Sequence, residues 1–123
     1  MIGPGTGVRV YLACGATDMR KSITGLSVLV QDHLLQKPSS GAVFAFRGRK
    51  GDRLKLLYWD ETGYAVWYKR LEEGTFRFPA ATGDTPGVAI RAADLTMLLD
   101  GVELGSVKRR KRYRRPEPAA TTH

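Results

Sequence analysis

The middle of the chain, residues 42–78, alternates between apolar or aromatic segments and short turns, and this spacing constrains the fold more than any other feature. Connections this short join antiparallel neighbours, because a parallel crossover needs about a dozen residues or more. The sequence therefore predicts a β-meander. Its strands are predicted at residues 42–47, 54–59, 64–71 and 75–78.

The segment before the meander has the periodicity of a helix. Its apolar residues recur at helical spacing, at Ile23, Leu26, Val30 and Leu34. This pattern predicts a long helix over residues 19–36. Thr17 and Asp18 are the two candidates for its N-cap, because their side-chain oxygens can accept from free backbone N–H groups.

Shorter elements complete the predicted domain. Alternating apolar residues predict a strand over residues 8–13, and a further short strand is expected over 88–90. A short helix is predicted over residues 91–100, with Gly101 as its C-cap. The expected fold class is α+β, with a mostly antiparallel sheet of four to six strands, a long N-terminal helix and a short C-terminal helix.

A run of basic residues follows this predicted domain. Like charges at this density repel one another and gain most from a polyanion. We therefore expect one domain over residues 1–106, with 1–7 as a loose arm, and a basic disordered tail over 107–123. If about six or seven of these cations engage phosphates, log K should fall against log[salt] with a slope of roughly −5 to −6. The cations of the run are Lys108, Arg109, Arg110, Lys111, Arg112, Arg114 and Arg115.

A second basic cluster lies in the loop between the first two strands of the meander. Such a loop either lies along a phosphate backbone or is a solvated hairpin tip. Lys55, Lys69 and Arg70 would extend the basic patch if the strands pair as predicted. Arg20 and Lys21 form a candidate anion site, because cations at a helix start are unfavourable without an anion. The basic residues of the loop are Arg47, Arg49, Lys50 and Arg53.

Aromatic residues are concentrated on the second and third predicted strands of the meander. They could form a platform on which nucleic-acid bases stack, or they could belong to the core. Their alternation places some on each face of the sheet, so at least part of the set must be core. The residues are Tyr58, Trp59, Tyr64, Trp67 and Tyr68.

The sequence offers no pattern typical of catalysis or of a cofactor site. Cys14 is the only cysteine and is accompanied by only His33 and His123, which excludes an intramolecular disulfide and a tetrahedral Cys/His zinc site. There is no Walker-type phosphate loop. No apolar run approaches the roughly 20 residues that span a bilayer. We therefore expect a cytoplasmic protein that is not an enzyme and uses no cofactor.

Several long motifs resemble a known protein family. They are GVRVYLA at 7–13, TDMRKS at 17–22, the stretch GAVFAFRGRKGDRLKLLYWD at 41–60, LTMLLDG at 95–101 and RYRRP at 112–116. The chain resembles, over most of its length, the TnpB (Orf2-like) accessory protein of bacterial insertion sequences of the number 66 family. The resemblance implies a protein of a mobile element that also encodes a separate DDE-type transposase and a second small accessory protein. It supplies no active-site residues.

Two positions depart from the pattern of that family. Ser22 stands where the family usually has glycine, and Arg91 stands where a helix-capping Ser or Thr is common. The second departure predicts a less sharply defined start for the last helix.

The sequence favours a non-catalytic accessory protein of DNA transposition that binds DNA through the basic tail and the basic loop. Backbone contacts of this kind position a protein but carry little sequence information, so we expect weak sequence preference. The main alternative is a protein–protein adaptor for the transposase or the second accessory protein, anchored by exposed aromatics such as Trp67. An RNA-binding regulator and a metal-dependent nuclease are the remaining alternatives.

Overall fold

A computed structural model describes residues 7–78 and 85–100 of the 123-residue chain. This part of the chain forms one sheet of five strands and two helices. Neither of the described helices has both the length and the apolar character that crossing a bilayer requires. In chain order the elements are β1 Val10–Ala16, α1 Ile23–Asp32, β2 Val43–Arg47, β3 Arg53–Trp59, β4 Tyr64–Arg70, β5 Gly87–Ile90 and α2 Ala92–Leu99.

The strands lie in the order β4-β3-β2-β1-β5. Strand β1 runs parallel to β2, and the other neighbouring pairs are antiparallel. Strands β1 and β2 are parallel because α1 connects them. The helix carries the chain back to the end of the sheet at which β1 began, so that β2 runs in the same direction. The expected α+β class and the mostly antiparallel sheet are confirmed, and β4, β3 and β2 form an antiparallel run from one edge of the sheet to its middle.

The sheet lies between the two helices, with one helix on each face. Leu26 and Val30 of α1 enter one buried cluster, whereas Leu95 and Leu98 of α2 enter the other. Alternate residues of a strand point to opposite faces. Because both faces are covered, β2 reads as a continuous apolar run rather than as an alternating one. Its residues divide into Phe44 and Phe46 on the α1 side and Val43 and Ala45 on the α2 side.

The expected long helix is wrong, since α1 has 10 residues, from Ile23 to Asp32. The carboxylate of Asp18 accepts from the backbone N–H of Arg20 at 2.9 Å, and the Lys21 N–H donates to the Asp18 carbonyl at 3.1 Å. These bonds form a tight turn in place of the first helical turn. Asp18 and Thr17 are therefore not the N-cap, which is Ser22 and makes no side-chain capping bond.

The end of α1 also comes earlier than predicted. Leu35 has a φ of 55°, in the left-handed region, which closes a helix rather than continuing it. The N–H of Gln36 reaches back to the carbonyl of Val30 at 3.0 Å and closes the chain over the end of the helix. This geometry leaves the Leu35 side chain 77% exposed.

The predicted fourth strand of the meander, residues 75–78, is not a strand. Phe76 donates one backbone hydrogen bond to the Gly51 carbonyl at 2.8 Å, and its ring is buried against the α2-side cluster. This segment therefore covers the turn between β2 and β3 instead of pairing with β4. The final short strand and the second helix are confirmed close to their predicted bounds.

The start of α2 uses Arg91 differently from a helix-capping Ser or Thr. The Asp94 carboxylate accepts from the Arg91 backbone N–H at 3.3 Å and from its guanidinium at 3.0 and 3.2 Å. This pair holds the pKa of Asp94 below its usual value, chiefly through the guanidinium hydrogen bond. The predicted C-cap Gly101, residues 1–6 of the predicted arm at 1–7, and the tail at 107–123 lie outside the described residues.

Candidate nucleic-acid interface

The turn from β2 to β3 lies at the edge of the sheet where the parallel strands β1 and β2 both end. It is closed by hydrogen bonds from the Gly48 N–H to the Arg53 carbonyl and from the Gly51 N–H to the Gly48 carbonyl, each 3.0 Å. The Thr17 N–H donates to the Arg47 carbonyl at 2.8 Å and ties the turn to the chain after β1. Crevices outside the carboxyl ends of parallel strands are frequent ligand sites.

The basic residues predicted for this loop lie close together, but their side chains are on different faces of the sheet. Arg49 and Lys50 are exposed at the tip of the turn, whereas Arg47 and Arg53 are half-buried at its two ends. Arg47 pairs with Leu54, whose side chain belongs to the α2-side cluster. Because residues alternate along β3, Arg53 faces the α1 side. The turn therefore presents positive charge to both faces of the sheet.

Two open clefts flank the turn, one on each face. The cleft on the α2 side has a volume of about 410 Å³ and contains Arg47, Arg49 and Lys50. The cleft on the α1 side has a volume of about 440 Å³ and contains Arg49, Lys50 and Arg53. The exposed tip of the turn thus forms a wall of each cleft, and cations line both.

Arg77 lies in the α2-side cleft and was missed by the sequence analysis. It is exposed between Phe76, which is buried, and Phe78, which is half-buried. The signal was present in the apolar–basic–apolar alternation of this segment. It was overlooked because residues 75–78 were assigned to a strand next to β4, on the other side of the meander.

Arg70 is brought directly opposite Arg53 in the ladder between β3 and β4. Directly opposite residues of an antiparallel pair project to the same face with Cβ atoms about 4.5–5.5 Å apart, and like charges there are unfavourable. Two arginines in this position gain from a bound anion. Arg70 thereby extends the basic surface on the α1 side.

Two lysines that were expected to extend the patch direct their ammonium groups into the protein. Lys55 is only 9% exposed, and its Nζ donates to the carbonyls of Met19 and Lys21 at 2.9 and 2.8 Å. Lys69 Nζ donates to the Leu99 carbonyl at 3.0 Å, where it complements the negative end of α2. Both side chains therefore connect β-strands to other elements of the fold.

The candidate anion site at Arg20 and Lys21 has a different geometry from the one expected. Arg20 does not start a helix, and its guanidinium donates to both carboxylate oxygens of Asp18 at 2.9–3.2 Å. Arg20 also lines the α1-side cleft, whereas Lys21 lines a smaller cavity of about 170 Å³ beside His33. An anion in the larger cleft would compete with Asp18 for the Arg20 guanidinium.

The side-chain hydrogen bond from Arg20, helped by its backbone N–H, lowers the pKa of Asp18 from 3.8 to about 2. A carboxyl with a depressed pKa stabilises the fold above its unfolded pKa and loses that contribution as pH falls through the folded value. We expect the pKa of Asp18 in an Arg20→Ala variant to rise towards 3.8, measured by carboxyl-carbon NMR titration. An unchanged pKa would contradict the assigned cause, and Lys37→Ala is the control.

Gly48 allows the turn to pack closely against Met19. A Cβ at Gly48 would lie 2.8 Å from Met19 Cγ, closer than real contacts allow. We expect Gly48→Ala to lower the free energy of unfolding by about 1–3 kcal/mol, because neighbouring groups must shift. Gly63→Ala is the matched control, since nothing lies within 4 Å of its Cβ position. Urea denaturation measures both, and equal midpoints would contradict the prediction.

The aromatic residues of β3 and β4 do not form an exposed stacking platform. Tyr58 and Trp67 pack against the α2-side cluster and Tyr64 against the α1-side cluster, which confirms that part of the set is core. Trp67 is thus not the exposed anchor that the adaptor alternative assumed. Tyr68, 48% exposed, has Lys55 Nζ 5.1 Å from its ring centroid.

Two predictions remain, one about metal binding and one about the basic tail. Over residues 7–78 and 85–100, no three His, Cys, Asp or Glu side chains are grouped as metal ligands. The basic residues of the tail lie outside the described residues. They are Lys108, Arg109, Arg110, Lys111, Arg112, Arg114 and Arg115.

Comparison with known proteins identifies relatives along nearly the whole chain. A family model described as IS66 Orf2 like protein matches residues 8–109. The uncharacterized protein y4hO of Sinorhizobium fredii (strain NBRC 101917 / NGR234) is 41% identical over 103 residues, which cover 84% of this chain and 88% of the relative. The uncharacterized protein y4jC of the same strain is 36% identical over 120 residues, covering 98% and 100%. No solved structure matches the chain.

Proposed function

Since the chain belongs to the IS66 Orf2-like protein family, we propose that it is a non-catalytic accessory protein of DNA transposition that binds DNA through the turn between β2 and β3. The family supplies the setting, a bacterial insertion sequence. The DNA-binding role is inferred from the charge and shape of this end of the sheet.

The observation that carries the proposal is the gathering of basic side chains around one turn. They come from the turn itself, from the ends of β2, β3 and β4 that lie beside it, and from the segment that covers the turn. Cations spaced along a protruding turn can neutralise successive phosphates and release counterions. Asp18 and Asp52 also line the α1-side cleft, but Asp18 is already paired with Arg20. The basic side chains are Arg47, Arg49, Lys50, Arg53, Arg70 and Arg77.

The basic run at 108–115 would add seven cations to this interface. It follows α2 in the chain after a short connection, and Lys69 of β4 holds the carbonyl of Leu99 at the end of that helix. In this proposal the tail supplies affinity and the turn supplies a fixed orientation on the duplex. Because phosphate contacts carry little sequence information, the protein would assist the transposase and the second accessory protein at element ends rather than select them alone.

A salt titration of the full-length protein tests the proposal. Its affinity for an element-end duplex and for a random duplex of equal length would be measured by fluorescence anisotropy from low to moderate salt. We expect similar affinities for both duplexes and a steep fall of log K with log[salt]. Absence of binding to either duplex at moderate salt would refute the DNA-binding role.

The protein–protein adaptor is retained as a second candidate, because apolar side chains are exposed on the α1 side. Ile23, Val28 and Leu35 are 39%, 48% and 77% exposed, and Tyr68 of β4 faces the same side. A Val28→Asp/Tyr68→Ser variant that loses binding to the element's transposase while keeping its affinity for DNA would favour the adaptor. Unchanged transposase binding would count against it.

A further inference from the structure

The α2-side cleft combines a basic mouth with an apolar wall, which distinguishes it from an ordinary charged surface. It is formed where β1 ends, at Ala13 to Gly15, by the turn residues 49–51 and by the segment 75–78. Its volume, about 410 Å³, is within the range of pockets that enclose small molecules. Among the apolar residues that line it, Leu12 and Phe76 are nearly fully buried, whereas Phe78 is half-buried.

Arg47 lies over the Phe78 ring inside this cleft, in a cation–π contact. The guanidinium carbon of Arg47 lies 5.6 Å from the centroid of the Phe78 ring. Phe78 in turn packs against the α2-side cluster, which fixes the ring from behind. The planar guanidinium of an arginine can also stack on a further flat, π-bonded group, as arginines stack on nucleobases in protein complexes.

Arg49, Lys50 and Arg77 line the same cleft and are exposed to solvent. A ligand that uses both the Arg47–Phe78 pair and these cations must itself combine a flat π-bonded group with negative charge. A nucleotide has that combination. A base within a paired duplex cannot reach the Arg47–Phe78 pair, because its two faces are covered by neighbouring bases and its edge by its partner.

We propose that this cleft binds an unpaired DNA nucleotide, with its base stacked on the Arg47–Phe78 pair and its phosphate held by Arg49, Lys50 and Arg77. The inference rests on the proposed DNA-binding function and specifies that this cleft binds DNA with an unpaired base. Distorted or partly opened duplex would be held in preference to regular duplex, because it alone presents an extrahelical base.

The test compares two DNA duplexes of identical sequence, one fully paired and one with a single bulged 2-aminopurine. We expect the full-length protein to bind the bulged duplex about tenfold more tightly, the effect of one stacked base. The fluorescence of 2-aminopurine should fall on binding, because stacking quenches it. Phe78→Leu should abolish both the preference and the quenching, while the affinity for paired duplex stays unchanged.

Two further variants make the result specific to the Arg47–Phe78 pair. Arg47→Lys keeps the charge but removes the planar guanidinium, so it should also lose the preference for the bulge. Tyr68→Leu removes an exposed aromatic ring from the opposite face of the sheet and should leave the preference intact.

The outcomes separate this inference from the proposed function. Equal, salt-dependent binding of paired and bulged duplexes would overturn the inference and leave the proposed function standing. No binding of either duplex would overturn the proposed function itself. Tighter binding of an RNA strand than of the DNA strand of the same sequence would overturn the assignment to DNA.

Discussion

Full-length protein in which Arg49 and Lys50 are both replaced by alanine is expected to bind paired DNA about 30-fold more weakly at about 0.15 M salt. Both residues are exposed at the tip of the turn, and both line the two clefts beside it. Each phosphate contact releases about 0.9 of a counterion, so losing two should also reduce the slope of log K against log[salt] by about 1.8.

An Arg9→Ala/Lys37→Ala variant is the matched control, because it removes the same charge from exposed positions. The Arg9 carbonyl accepts from the Val43 N–H at 2.9 Å, which places Arg9 at the start of β2, opposite the end that carries the turn. Lys37 precedes β2 in the chain. The control should keep the slope of the unchanged protein. If it lowers the slope as much as the loop variant does, net charge and not contact at the turn explains the binding.

The run of β2, β3 and β4 could be predicted because its signals are local and redundant. The turns at 48–52 and 60–63 are short enough to exclude a parallel crossover, so the pairing of β2 with β3 and of β3 with β4 followed from chain length alone. The continuous apolar character of β2 is also visible in the sequence. That it reflects burial on both faces became clear only once the positions of the two helices were known.

The length of α1 could not be predicted from apolar periodicity. Leu34 is at helical spacing from Val30 and is buried, but the chain has already left the helix at His33. Before the helix, the Asp18 carboxylate accepts a hydrogen bond from the Arg20 N–H rather than from an N–H of the helix. Either partner would satisfy the carboxylate. Such choices between local hydrogen-bonding partners are decided by packing that the sequence pattern does not display.

The candidate site was predicted as a set of residues but not as a geometry. The sequence groups four basic residues because they are neighbours in the chain: Arg47, Arg49, Lys50 and Arg53. Their division between two clefts depends on the alternation of β2 and β3 across the turn, together with the segment that brings Arg77 beside it. Sequence motifs do not reveal contacts between residues that are distant in the chain. Lys55 and Met19, which are hydrogen-bonded, are 36 positions apart.

Replacing Lys55 by methionine is expected to lower the free energy of unfolding by about 3 kcal/mol. The side chain is nearly buried, and its ammonium group makes two hydrogen bonds, to the carbonyls of Met19 and Lys21. Hydrogen bonds from a charged donor contribute about 1.5–3 kcal/mol each, and acceptors that lose their donor remain partly unsatisfied. Methionine keeps the apolar part of the side chain, so the loss reports the ammonium group rather than a cavity.

Lys21→Met is the matched control. The backbone carbonyl of residue 21 accepts from the Lys55 ammonium group, but the Lys21 side chain itself is exposed. It should change stability by no more than about 0.5 kcal/mol. Urea denaturation gives both values, and hydrogen exchange at the Lys21 amide, which bonds to the Asp18 carbonyl, reports whether the 17–22 turn has loosened. Equal stability of the two variants would contradict the role of Lys55. Faster exchange in Lys55→Met alone would show that this buried lysine holds Arg20 at the edge of the basic cleft, which links the packing of β3 to the shape of the proposed DNA-binding surface.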